Sequence, residues 1–293
     1  MNASFKEEYE KIETFVSSVH PGFKNFIGSE RSKFGLALKN LYFYYFITNY
    51  ISCRNYISSG DEISLLSIFS KSALDVLGIF NCLSNGLQIQ SQILERSLFE
   101  SYVTFEYILK DDTTEKLKLF RNFSNIEKWL KLELSIRKDP TYPEKIGMTK
   151  DDIEAYRNQY EKVRIDYHPT HPYHWAYKCF KESKGNRNPS LRNLCEDIGP
   201  DCVDDYDSFY AIGSLAAHPS FSLTSQFADT NSSDNNAVIV NSPRFNDTIY
   251  SSCFFAMHYS SRISEKLIRY FEKDNESLAV FVRDYPLWAN KNY

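Results

Sequence analysis

The sequence predicts an all-α protein: a helical bundle built on a long antiparallel helix hairpin, with a loop-rich insertion and at most a short β-arm. Three observations carry that expectation. Apolar residues recur at helical spacing through most of the chain. Gly and Pro number ten each against 21 Tyr and 22 Phe, a composition suited to long helices with aromatic packing. Two apolar segments, Ile63 to Leu83 and Leu87 to Lys110, flank Asn85-Gly86, a dipeptide that stops a helix in the left-handed conformation and turns the chain back.

Residues 4–19 read as an amphipathic helix with Phe5, Tyr9, Ile12 and Val16 on one face, stopped by Pro21-Gly22. Residues 30–57 form an aromatic-rich helix in which Tyr42, Tyr45, Phe46 and Tyr50 pack broadly. The hairpin occupies 62–84 and 87–110. Asp111-Asp112-Thr113 caps the next helix, whose buried stripe is Leu119, Phe123, Ile126, Leu130 and Leu134, and Asp139-Pro140 ends it. Thr149-Lys-Asp-Asp152 opens a helix running to about Tyr167.

Pro169 and Pro172 forbid helix through His168-Pro-Thr-His-Pro-Tyr-His-Trp175, where Trp175 is expected to anchor the loop and His174 to hydrogen-bond nearby. Ser190 caps a short helix to Ile198, and Pro200-Asp201 opens one that reaches His218. Residues 224–237 are a loop leading to Val238-Ile-Val240, a short strand or extended arm. A long helix from Asn246 to Lys273 and a final turn or helix near 276–283 complete a single helical domain over 1–293. Its core bundle is 60–135 and 201–273, and the insertion is 140–200.

Net charge is −4, with acidic and basic residues interspersed, so no global basic surface favours tight, sequence-independent nucleic-acid binding. The six cysteines are scattered without a Cys-x2-Cys pair, and the N-terminal residues are polar, so a reduced, cytosolic protein is expected. The apolar run Leu41 to Ile47 is far shorter than the ~20 residues of a membrane span, and no membrane association is expected. There is no Gly-rich phosphate loop, no Gly-x-Ser-x-Gly elbow and no His-Glu-x2-His helix. No metal site and no cofactor are expected; His168, His171 and His174 lie in a loop, where their spacing fixes no ligand geometry.

Chemistry concentrates in the second hairpin helix. Ile89, Ile93, Arg96, Glu100, Val103 and Tyr107 share one stripe, which places Arg96 and Glu100 one turn apart among apolar neighbours, where each charge needs a partner. Asp75, about as far from the Asn85-Gly86 turn as Arg96, is the expected partner on the first hairpin helix. Tyr210, Ser214 and His218 fall on one face of a later helix, with His218 at its end before Pro219.

Arg96-x3-Glu100, His174-Trp175 and Ser214-x3-His218-Pro-Ser220 occur in the order found in the bacterial domain-of-unknown-function family 5677, which the chain resembles over roughly residues 60–270. The resemblance implies an all-helical protein, often encoded among mobile or antiviral genes, with a bundle similar to HEPN-type folds. On that analogy Arg96, Glu100 and His218 converge in one polar pocket. The Arg-x4–6-His mark of HEPN ribonucleases is met formally by Arg164 and His171, but Pro169 breaks the helix that the motif needs.

Two functions follow. The first is a non-catalytic helical binding or sensor module of a bacterial defence or toxin–antitoxin system. The alternative is a metal-independent ribonuclease with Arg96, Glu100 and His218 as catalytic residues. Asp75, Tyr210, Ser214, His174 and Trp175 are then the binding residues. A protein partner, RNA and a second copy of the chain are the expected candidates for association.

Overall fold

The computed structural model describes residues 3–19, 34–54, 56, 60–167, 173–184, 188–210, 228–229, 238–239 and 247–291. In chain order the first helices are α1 (Ala3–Val19), α2 (Gly35–Ser52), α3 (Ile63–Ser84), α4 (Gln88–Lys110), α5 (Thr113–Lys138) and α6 (Tyr142–Lys145). There follow α7 (Lys150–Val163), α8 (Tyr177–Lys184), α9 (Leu191–Ile198), α10 (Pro200–Asp205), α11 (Thr248–Phe271) and α12 (Glu276–Asn290). The protein is an all-α helical bundle. Its extended structure among the described residues is one antiparallel pair, β1 (Ala228–Asp229) with β2 (Val238–Ile239), in which Ala228 faces Ile239. This is the short arm expected at Val238.

The chain divides into two compact units: Met1–Ile57, Leu65–Phe105 and Asp201–Tyr293 form the first, and Ser58–Ser64 with Glu106–Pro200 the second. The first is organised on α11, which runs along α12 and against α2, while α1 lies across α2 and α12. Aromatic rings fill it: Phe5 meets Phe281 at 4.7 Å between centroids, Tyr9 stacks on Phe43 at 5.1 Å, and Tyr285 lies 5.8 Å from the fully buried Tyr44. Leu41, Phe43, Tyr44, Phe46 and Ile47 are all buried, so the apolar run of α2 is core. The last helix runs through Pro286, which is buried inside it, and extends past the expected end near 283. Burial of Leu278, Phe281, Val282, Tyr285 and Ala289 along one face outweighs the local disadvantage of proline.

The hairpin of α3 and α4 turns at Gly86, whose φ of 70° is the left-handed conformation glycine adopts freely. Leu87 N–H reaches back to Cys82 O at 2.8 Å and Gly86 N–H to Leu83 O at 3.0 Å, the paired bonds of a Schellman stop. Contacts across the hairpin join residues equidistant from Gly86. Lys71 Nζ donates to Ser101 Oγ at 2.9 Å, Ser97 Oγ to Asp75 Oδ2 at 3.2 Å, and a Cβ on Gly78 would come within 2.8 Å of Leu94.

In the second unit, Thr149 and Asp152 form the expected capping box on α7, and Ser190 accepts from Asn193 N–H to start α9. Trp175 is buried, with its ring edge-on to Tyr107 and Phe120 at 5.7 and 5.1 Å. Leu119 and Ile126 of the expected α5 stripe are buried, but Leu130 and Leu134 are exposed and Leu132 is buried in their place. The stripe steps by 4, 3, 4 and 4, a mean period of 3.75, and against the 3.6 residues per turn of a straight helix it drifts by about 60° over four turns, which carries its end out of the core.

Candidate functional site

The described lining of the chamber of interest lies within the first unit. On α4, Gln92, Glu95, Arg96 and Phe99 stand three or four residues apart and so share one face. On α11, Thr248, Ser251, Ser252, Phe255 and Tyr259 do the same. Tyr210 completes the described lining from the π-type turn Tyr206–Tyr210 that continues α10. Such wide turns insert a residue into the helical register and recur at functional sites. Its volume is about 260 Å³, close to the lower end of the ~300–1,000 Å³ typical of small-molecule pockets.

At the mouth, Arg96 and Glu100 form the expected one-turn pair, with Arg96 Nε donating to Glu100 Oε1 at 3.2 Å. The Tyr210 hydroxyl donates to the same oxygen at 2.9 Å, and the Arg96 guanidinium carbon lies 4.8 Å from the centroid of the Tyr210 ring. Tyr206 stacks beneath at 4.9 Å. Burial, followed by the charge of Glu100, pushes the Tyr210 phenol up to about 12. Burial works to lower the Arg96 pKa, but Tyr210 and Glu100 lift it above the ordinary value.

Deeper in, Glu95 lines the chamber with its carboxyl sunk into the protein. Burial raises its pKa above the usual carboxylate value, and hydroxyls of Ser252 and Ser91 oppose the shift. Glu95 Oε1, Gln92 Oε1 and the Tyr259 hydroxyl are each buried without a hydrogen-bond partner. Around them stand aromatic rings: Phe99 meets Tyr259 edge-on at 5.2 Å and Tyr210 at 5.9 Å, and Phe255 stacks on Tyr259 at 6.3 Å. Among the described residues no three His, Cys, Asp or Glu side chains converge as metal ligands.

Of the residues singled out from sequence, Arg96, Glu100 and Tyr210 come together. Asp75 does not join them. It is held by Lys71 Nζ at 2.8 Å and by Ser97, because the hairpin is centred on Gly86 and sets Ser97, not Arg96, opposite it. The stripe itself is less buried than its spacing suggests: Ile93 is 42% exposed, and Arg96 and Glu100 keep 26% and 36% of their side-chain surface. His174 and Trp175 are buried in the second unit, His174 with its ring 6.1 Å from Phe123. Ser214, His218, His168 and His171 lie outside the described residues.

Sequence reasoning missed Gln92, Glu95 and Tyr259. The available signal was a polar stripe, Ser91, Gln92 and Glu95, leading into Phe99 on the face beside Arg96. Glutamine and glutamate at helical spacing ordinarily mark a solvated face, and only the packing of α11 turns this one inward.

The profile of a family of unknown function (DUF5677) matches residues 62–236, more than half of the chain. No curated protein and no solved structure matches. The matched segment carries the chamber's α4 residues and Tyr210, and leaves out its α11 residues.

Proposed function

This chain belongs to the DUF5677 family of unknown function, and from the chamber we propose that it is a helical module that binds a small ligand, as the sensing part of a bacterial defence or toxin–antitoxin system. The setting rests on the resemblance in sequence. The binding function rests on one observation: Phe99, Tyr210, Phe255 and Tyr259 wall a chamber of about 260 Å³ whose lining also carries the polar side chains of Gln92, Glu95 and Arg96. A flat apolar occupant leaves water for the aromatic walls, and the polar side chains of the lining orient it.

Ligand-observed NMR with indole and benzimidazole tests this reading. Ser251 is exposed at the chamber's lining, so Ser251→Trp blocks entry without disturbing the core. Saturation transfer to the fragments is expected from the wild type and not from folded Ser251→Trp protein. No transfer from the wild type, or equal transfer from both, overturns the reading.

The ribonuclease reading draws on a second observation, that Arg96 and Glu100 keep part of their side-chain surface in contact with solvent. In that reading Arg96 stabilises charge on a phosphate and His218 moves the proton. Total-RNA integrity on expression of the wild type and of folded Arg96→Ala and His218→Ala variants decides it. RNA left intact by the wild type removes nuclease activity.

A further inference from the structure

On the reading that the chamber binds a small flat ligand, we propose that this ligand is a cation, a flat nitrogen heterocycle carrying positive charge. The walls provide the first argument. Phe99, Tyr210, Phe255 and Tyr259 contribute their rings to a chamber of about 260 Å³, which has room for a small fused ring system and not for a polymer. The face of an aromatic ring carries negative potential and attracts a cation laid over it. The chain itself uses this attraction at the mouth, where the Arg96 guanidinium carbon lies 4.8 Å from the centroid of the Tyr210 ring. A charge spread over a flat group is weakly hydrated, as the guanidinium is, and so loses less on leaving water than a compact ammonium does.

Charge supplies the second argument. Glu95 belongs to the lining, Glu100 binds Arg96 and Tyr210 at the mouth, and Asp247 precedes Thr248 at the start of α11. Asp205 acts on the lining as well, its charge adding to burial in raising the pKa of the Tyr259 phenol. Against these acids stand Arg96, whose charge Glu100 meets at 3.2 Å, and Arg262, which acts on Asp205. Acid is in excess, so the field around the rings favours a cation and repels an anion. Glu95 takes part through space and needs no exposed lone pair to do so. Burial raises its pKa above the usual carboxylate value; a cation laid against the rings favours the ionised carboxylate and opposes that shift.

Isothermal titration of the full chain at neutral pH with N-methylquinolinium, quinoline and quinoline-2-carboxylate varies the charge on one ring system from positive through zero to negative. N-methylquinolinium is expected to bind about tenfold more tightly than quinoline, and the carboxylate more weakly than either. Folded Ser251→Trp protein is expected to lose the cation, which separates the chamber from attraction to a chain of net charge −4. Glu95→Gln removes the carboxylate and keeps its shape, and Phe255→Leu removes one ring face and keeps apolar bulk. Each should narrow the preference for N-methylquinolinium over quinoline, whereas a merely structural part would weaken both ligands alike.

Quinoline or its carboxylate binding as tightly as N-methylquinolinium overturns the assignment. So does equal binding of the cation by the wild type and Ser251→Trp protein, or an unchanged preference in both Glu95→Gln and Phe255→Leu. Retained indole binding then leaves the chamber reading standing. Failure of indole and of all three quinoline compounds to bind the wild type overturns both.

Discussion

Tyr210 and Arg96 meet on one oxygen of Glu100: the phenol donates to Glu100 Oε1 at 2.9 Å and the guanidinium Nε at 3.2 Å, while the cation lies over the tyrosine ring. The π-type turn makes this possible by bringing Tyr210 to the mouth of the chamber. Tyr210→Phe removes the hydrogen bond and keeps the ring, so a loss of about 1 kcal/mol in urea denaturation is expected. Tyr210→Ala also removes the cation–π contact and the stacking on Tyr206, and should lose more, about 2–3 kcal/mol. Equal losses in the two variants would show that the ring contributes nothing.

Asp75 offers a test of the hairpin register. It is buried and bound by Lys71 and Ser97, whereas Arg96 is partly exposed and bound to its own helix. Asp75→Ala leaves the Lys71 ammonium without its carboxylate and should destabilise by about 1–3 kcal/mol. Arg96→Ala should cost less, on the order of 1 kcal/mol, because its ion pair is open to water. The reverse ranking in equilibrium unfolding would contradict the contacts across the hairpin.

Two groups of the first unit give opposite dependences on pH. Burial, aided by the Arg262 charge, lowers His258 to about 4 from 6.5, so the unfolded chain binds the extra proton between those values. Stability from this source is complete above about pH 6.5 and is lost as pH falls toward 4. Burial, with Asp201 adding to it, raises Asp205 to about 6 from 3.8, so there the folded chain holds the extra proton and stability declines as pH rises from 3.8 through 6. In the wild type the two slopes partly cancel. Chemical denaturation of a His258→Phe variant should therefore show stability falling as pH rises from 4 to 6, and a variant that follows the wild-type profile would refute the assignment.

Thr149 tests the second unit alone. Its hydroxyl accepts from Asp152 N–H at 3.1 Å, and the Asp152 carboxylate accepts from Thr149 N–H at 2.8 Å. Thr149→Ala removes one half of this box and should lower the stability of α7 by about 1 kcal/mol. Amide exchange in the first turn of α7 is expected to quicken by roughly fivefold, the factor that such an energy represents.

Local chemistry alone determined much of the helical framework. Asn85-Gly86, Thr149 to Asp152 and Ser190 announce their stops and caps because each hydrogen-bonds with residues within a few positions, and the structure keeps those bonds. The one-turn pairing of Arg96 with Glu100 was legible for the same reason, since residues four apart on a helix are neighbours whatever surrounds them. What lies opposite a helix face is not written in its own period. A shift of one residue in the pairing across the hairpin exchanges Ser97 for Arg96 beside Asp75, and the approach of α11 turns Gln92 and Glu95 from an apparently solvated stripe into a buried lining. Tyr259 reaches that lining from more than 150 positions along the chain. Spacing in sequence orders side chains around one helix; which of them lose water depends on how separate helices pack, and here that packing makes the chamber.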